Sequence, residues 1–400
     1  MIRFGPAGIP LSCKGRTLRD GISDIHSLGL TAMEVQFIKV NAHTRPVTDE
    51  EIGKRPYDLP GELVVEVTSG GKAELLPDPS ALTQPIPKKA NATVLSWFLA
   101  KSYADLQQAR VLSRAVDVHI ALHAPYYVDF ATSTAARERT FRQFRWAAAL
   151  ASALGAETMV GHLGFYGPGD HAAAYDRTRE DLKEIRRWLD RLDQGSLRLG
   201  IEPSGHPEVF GTREEILALA KEIKGVVPVL NLAHIAAREN KKFDDRTELH
   251  KLVDDFVEAS RGSLYMNFSG VEFYGQGDFR LTPIKRGAVH FDHVAEVLAE
   301  REYDGTVIGS SPLLEHDAMY MKLLYERALA KRFARKHAPP SAAPEPDEKP
   351  APTATGKGTA ARAQAPSKGK GKGKAAPAPA KRPVKPAAKP RPKGIHARKR

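Results

Sequence analysis

Eight short apolar runs recur along the chain, at 2–8, 32–38, 117–125, 157–163, 196–203, 227–234, 264–270 and 305–311. They are too short for helices, lean on Val, Ile and Leu, and several close on Gly or Pro, as strands buried on both faces do. Stretches read as helices separate them. In 16–29, Leu18, Ile22, Ile25 and Leu28 fall on one face. The others are 91–115, 136–154, 172–193, 212–224, 245–260, 289–301 and about 314–335; the one at 212 opens with Thr212 and Glu214–Glu215 as start signals. Strands alternating with helices in this way predict the α/β class and a (β/α)8 barrel. An open doubly wound sheet would call for a Gly-rich phosphate fingerprint, which we do not find.

The rhythm breaks twice. Residues 41–90 are rich in Pro, Gly and charge and read as an insertion after the second strand, with ELVVEVT and KAELL around Ser-Gly-Gly as a β-hairpin. Loops after barrel strands build the active-site face, so the insertion is expected there. From 337 to 400, Ala, Pro, Lys and Gly dominate; this composition buries no core and is expected to stay disordered. The expected organisation is a barrel over 1–336 and a basic tail over 337–400.

Charge sharpens that division. Residues 341–400 hold 16 Lys+Arg against 3 Asp+Glu, a net of +13, whereas the whole chain carries +12, so the body is close to neutral. Excess charge confined to one low-complexity segment points to a polyanion. The single cysteine, Cys13, excludes an intramolecular disulfide and a cysteine zinc cage. The N-terminus lacks a signal pattern, and no apolar run approaches the roughly 20 residues that span a bilayer. A cytoplasmic, nucleoid-associated monomer is the expectation.

The candidate chemistry sits where the strands end. His123 closes DVHIALHAP, His162 lies in TMVGHLG, Glu202 in LRLGIEPSG, Asn231 and His234 in VVPVLNLAH, and Asn267 in LYMNFSG. Imidazoles and a carboxylate at the C-terminal ends of parallel strands are the parts of a metal site. Each residue also fits a hydrogen-bonded polar group at a barrel mouth, and strand spacing alone leaves both readings open.

Several strings in order, IRFGPAGIPLSCKGRT, LHAPYYVDF, GHLGFYG, IEPSG, NLAHIAAR, MNFSGVEF and SSPLLEHDA, resemble the endonuclease IV family, especially its archaeal-type branch. The resemblance covers roughly 1–40 and 100–330 and implies a xylose isomerase-like barrel carrying a three-zinc phosphodiesterase that cuts DNA at abasic sites. Carried over by position, it makes His123, His162 and Glu202 the first metal's ligands, with Glu202 also the catalytic carboxylate. The second metal's positions are degenerate, reading Asn231, Asn267 and Ser310, which bring neither charge nor imidazole. The third keeps His234 and, more weakly, Asp278. The resemblance therefore implies about one zinc, with manganese as the substitute. The related sugar isomerases and epimerases place their metal at Glu202, Asn231, Asn267 and Ser310, so that reading loses more ligands.

Tyr126, Tyr127, Phe165 and Tyr166 follow strand ends, where they either pack the rim or stack on bases. His171 and His206 read as loop histidines, Glu272 and Arg280 as a surface pair, and Glu315 and Asp317 as acids starting the last helix. In the tail, Lys368, Lys370, Lys372, Lys374, Lys381 and Arg382 alternate with small residues and suit contact with phosphates of DNA, or of RNA, without sequence readout. Three functions stay open: a metal-dependent phosphodiesterase on abasic or damaged DNA, a non-catalytic DNA-binding pseudoenzyme, and a sugar isomerase-like barrel.

Overall fold

The computed structural model describes residues 1–69, 82–191 and 196–337. The compact unit, Met1–Pro340, opens with β1 (Ile2–Pro6), α1 (Leu18–Ser27) and β2 (Ala32–Gln36). An antiparallel sheet follows, made of β3 (Ala42–Pro46), β4 (Leu63–Ser69) and β5 (Ala90–Leu95), with β5 in the middle. Next come α2 (Tyr103–Ala115), β6 (His119–His123), α3 (Thr134–Leu154), β7 (Thr158–Gly161), α4 (His171–Arg191) and β8 (Arg198–Ile201). The chain continues through α5 (Arg213–Glu222), β9 (Val226–Asn231), α6 (Leu232–Glu239), α7 (Arg246–Ala259) and β10 (Ser263–Phe268). A hairpin of β11 (Gly270–Gly275) and β12 (Asp278–Thr282) precedes α8 (Phe291–Arg301), β13 (Asp304–Gly309) and α9 (Glu315–His337).

The eight parallel strands run β1-β13-β10-β9-β8-β7-β6-β2 and curl into a nearly closed barrel. At the seam, Thr31 N–H donates to the Phe4 carbonyl at 3.0 Å. Gly5 is required there, because a Cβ would lie 1.7 Å from the Ala32 carbonyl oxygen. Helix starts follow local chemistry. Ser102 and Asp105 form a capping box on α2, and Thr212 and Glu215 do the same on α5. Among the described residues no helix is long and apolar enough to cross a membrane.

Three expectations need correction. The stretch 91–115 is not helical throughout: its first residues belong to β5, and the helix starts at Tyr103. The strand expected to run to His234 stops at Asn231, where α6 begins with no loop. The described strand of the expected hairpin, β4, pairs with β5; its supposed partner, like part of the 172–193 helix, lies outside the described residues.

Inside the barrel, Ala32, Ala121, Val160, Val229, Tyr265 and Ile308 form one buried layer. Side chains alternate along a strand, so the residue two positions on points inward again, nearer the C-terminal mouth. Those residues are Glu34, His123, His162, Asn231, Asn267 and Ser310. Pleat periodicity thus stacks the polar site directly on an apolar floor.

Loops over this mouth are tied to α9. The buried Glu315 carboxylate accepts the N–H groups of Leu11 and Ser12 at 2.8 and 2.9 Å, and Asp317 accepts Ile284 N–H at 2.9 Å and the Ser311 hydroxyl. Both acids brace neighbouring loops, a larger role than a helix-start charge. Glu315→Ala is expected to cost about 2 kcal/mol of stability, read by urea denaturation, because a charge-assisted pair of bonds is lost at a buried site.

Candidate metal centre

His123, His162 and Glu202 converge. One ligand atom from each lies within 4.8 Å of the other two, and all three residues are buried. Among the described residues no other set of three His, Cys, Asp or Glu side chains does this. Glu202 Oε1 lies 3.3 Å from His123 Nε2 and 3.0 Å from His162 Nε2. The shorter approach is not aligned as a hydrogen bond, so His162 Nε2 is buried without a hydrogen-bond partner. His123 Nδ1 sits 2.8 Å from the Ala124 carbonyl, which can only accept, so Nδ1 carries the proton and Nε2 faces the centre.

The other carboxylate oxygen is also engaged. Glu202 Oε2 accepts the side-chain amides of Asn231 at 3.1 Å and Asn267 at 3.4 Å. Asn231 in turn caps α6, its Oδ1 accepting His234 N–H at 3.1 Å. Two of the three positions expected as degenerate ligands, Asn231 and Asn267, therefore face Glu202 as donors. Ser310 follows the last residue of β13 and is half-buried, with its backbone N–H bonded to the Phe268 carbonyl at 2.9 Å.

Two expected ligands stand apart. His234 is in the first turn of α6, its ring 6.2 Å from that of His162, with Nδ1 3.0 Å from the Pro203 carbonyl. Asp278 is exposed at the start of β12. Neither joins the three-ligand group.

Glu34 is the polar residue that the sequence reading passed over. It is buried inside the barrel, its Oε2 accepting Tyr265 O–H and its Oε1 the Gln36 amide, both at 2.8 Å. Burial raises its pKa above the ordinary carboxylate value, with the His123 charge pulling the other way. Its signal was a lone acid on the inward face of AMEVQFI.

Electrostatics tie these groups together. Burial pulls the His123 imidazole down, but the Glu202 hydrogen bond and the charges of Glu34 and Glu202 outweigh it and lift the pKa to about 9. Burial pushes Glu202 up, yet the His162 charge and the His123 hydrogen bond hold it well below the usual range. Burial keeps His234 below the ordinary imidazole value. The folded-state value of His123 thus lies above its unfolded value near 6.5. Its pairing stabilises the metal-free fold fully below about pH 6.5 and is lost as pH rises through about 9. Chelator-treated protein is expected to lose about 5 °C of Tm between those limits, read by calorimetry; a flat Tm would contradict the pairing.

The aromatic residues divide. Tyr126 is 42% exposed with its ring edge-on to His162 at 4.4 Å, and Tyr127 beside it is 81% exposed. Phe165 is also exposed. Tyr166 corrects the expectation of a stacking surface: it is buried, its hydroxyl donates to Glu215 at 2.9 Å and accepts from Arg238 at 3.0 Å. Arg238 also bonds the carbonyls of Ser204, His206, Pro207 and Val209, fixing the loop after Glu202. His171 stacks on Tyr166 at 4.0 Å, and Glu272 pairs with Arg280 across the hairpin at 2.6 Å. Lys368, Lys370, Lys372, Lys374, Lys381 and Arg382 lie outside the described residues.

Two imidazole nitrogens and one carboxylate oxygen, with an orphaned Nε2 among them, fit a divalent ion such as zinc that keeps an open position. They hold enough donors for one ion.

Residues 92–312 match the model of a family described as xylose isomerase-like TIM barrel. Over 217 residues the chain is 26% identical to an uncharacterized protein of Methanocaldococcus jannaschii, covering 52% of this chain and 77% of that one. The barrel resembles the crystal structure of a D-tagatose 3-epimerase-like protein, at 17% identity and TM-score 0.52 over 84% of this chain and 99% of that one. It resembles endonuclease IV from Thermus thermophilus equally, at 15% identity and TM-score 0.52 over 82% and 99%. At these identities the two structures share its fold. The chain belongs to the xylose isomerase-like TIM barrel family.

Proposed function

We propose that this barrel is a metal-dependent phosphodiester hydrolase acting on abasic or otherwise damaged DNA, held on the polymer by its basic C-terminal segment. The observation that carries the reading is the buried His123–His162–Glu202 group at the barrel mouth. A divalent ion, if bound there, would supply Lewis acidity for a phosphoryl oxygen and lower the pKa of water. The chain's own part is positioning. Glu202 and the two imidazoles would hold the ion, and Arg238 fixes the loop that follows Glu202. Tyr126 and Tyr127 offer rings at the rim to an unstacked base.

Phosphodiester chemistry is favoured over epimerisation by the surroundings of Glu202. Inverting a carbon centre calls for two acid–base groups on opposite faces of the substrate. Here Glu202 faces two imidazoles and two amides, and the other buried carboxylate inside the barrel, Glu34, is outside the three-ligand group and already bonded to the Tyr265 hydroxyl and the Gln36 amide. A second reading, a metal-free protein that binds damaged DNA, is favoured by one observation: both Glu202 oxygens already have partners within the fold.

Purified protein incubated with a duplex carrying one abasic site, with zinc or manganese, tests the choice. Chelator-sensitive incision at the lesion is expected. Absence of incision at stoichiometric protein sinks the hydrolase and leaves the binding protein.

A further inference from the structure

Asn231 is held so that it presents a known atom to Glu202, and Asn267 turns its NH2 group to the same carboxylate while its buried Oδ1 has no hydrogen-bond partner. Asn231 gives its Oδ1 to the backbone N–H of His234, leaving only its NH2 group for the other side, and Nδ2 reaches Glu202 Oε2 at 3.1 Å. Asn267 is paired in register with Asn231 on the adjacent strand and sends Nδ2 to the same oxygen at 3.4 Å. Turning that amide over would set oxygen against oxygen. The two oxygens of Glu202 are thereby divided: Oε1 faces His123 and His162, and Oε2 faces two N–H donors. Donor hydrogens carry positive partial charge, so they repel a cation from the Oε2 side while steadying the carboxylate on the Oε1 side.

We infer that Asn231 and Asn267 are positioning residues that limit the centre to one divalent ion, bound through Glu202 Oε1, and keep a second ion from bridging the carboxylate. This rests on the metal-dependent reading above and specifies it. Asn231→Asp keeps the oxygen that caps α6 but replaces the donor with a carboxylate oxygen facing Glu202 Oε2. Two carboxylates that close repel each other until a proton or a cation neutralises them, and excess manganese supplies the cation.

The test is equilibrium dialysis of full-length, chelator-stripped protein against manganese, with elemental analysis at saturation and a thermal melt to show that each variant is folded. The parent is expected to saturate at about one ion per chain and Asn231→Asp at about two. Asn231→Ala is expected to stay at one ion with affinity weakened about 10- to 100-fold, as loss of an orienting partner does. Asn267→Asp repeats the acidic test from the neighbouring strand should the first variant not fold. Two ions on the parent, acidic variants that stop at one, or an alanine variant with parental affinity would each overturn the inference while leaving the hydrolase standing. No ion on the parent would remove both.

Discussion

A Glu202→Gln variant is expected to keep the barrel, bind no stoichiometric zinc and cut abasic DNA at least about 1,000-fold more slowly than the parent, a barrier change of roughly 4 kcal/mol. The size of the effect follows from the partners of Glu202. A carboxylate serves two imidazoles with one oxygen and two amides with the other. An amide side chain has a single acceptor, and the NH2 groups of Asn231 and Asn267 will claim it. Its own NH2 group is then turned toward His123 and His162, where a ligand oxygen stood. The variant thus loses the charge and presents a donor to the ion. The His123 imidazole also loses its hydrogen bond and one of its two neighbouring carboxylate charges, keeping that of Glu34, so its pKa should fall from about 9. NMR titration of the ring protons reads this independently of activity. Parental activity or an unchanged His123 titration would contradict this account of the site.

Deleting residues 338–400 is expected to weaken binding to undamaged duplex at least about 100-fold near 0.1 M salt and to flatten the slope of log K against log salt by several units. The removed segment carries all the chain's excess positive charge. Each phosphate neutralised releases condensed counterions, which makes the loss steep in salt and indifferent to sequence. Turnover of a short abasic duplex at saturation should change less than about threefold, because the His123, His162 and Glu202 ligands belong to the barrel. DNA and RNA duplexes should suffer alike, since the segment has no aromatic residue to read bases. Unchanged affinity after deletion would contradict the anchoring role.

Much of the barrel was legible in the chain because parallel strands buried on both faces read as continuous apolar runs. The polar residue ending each run was legible for the same reason, and it located His123, His162 and Glu202. What stayed hidden depended on non-local pairing or on exact boundaries. β5 could not be told from the start of a helix, since its partners β3 and β4 lie far along a Pro- and Gly-rich stretch. Asn231 ends a strand and caps a helix at once, so the change of period has no loop to mark it. That single boundary moved His234 from a strand end to a helix turn and out of the ligand group. Glu34 sat in plain alternation, but only the closed barrel shows that its face is interior. Nor does sequence show that Asn231 and Asn267 point their amides at the same carboxylate oxygen, which is what turns two missing ligands into donors.

Zinc content, measured by elemental analysis of protein purified without chelator beside a His162→Ala control, tests the metal centre most directly. About one zinc per chain in the parent, lost in the control, is the expected result. No stoichiometric metal in either sample would contradict it and make the damaged-DNA binding protein the better reading.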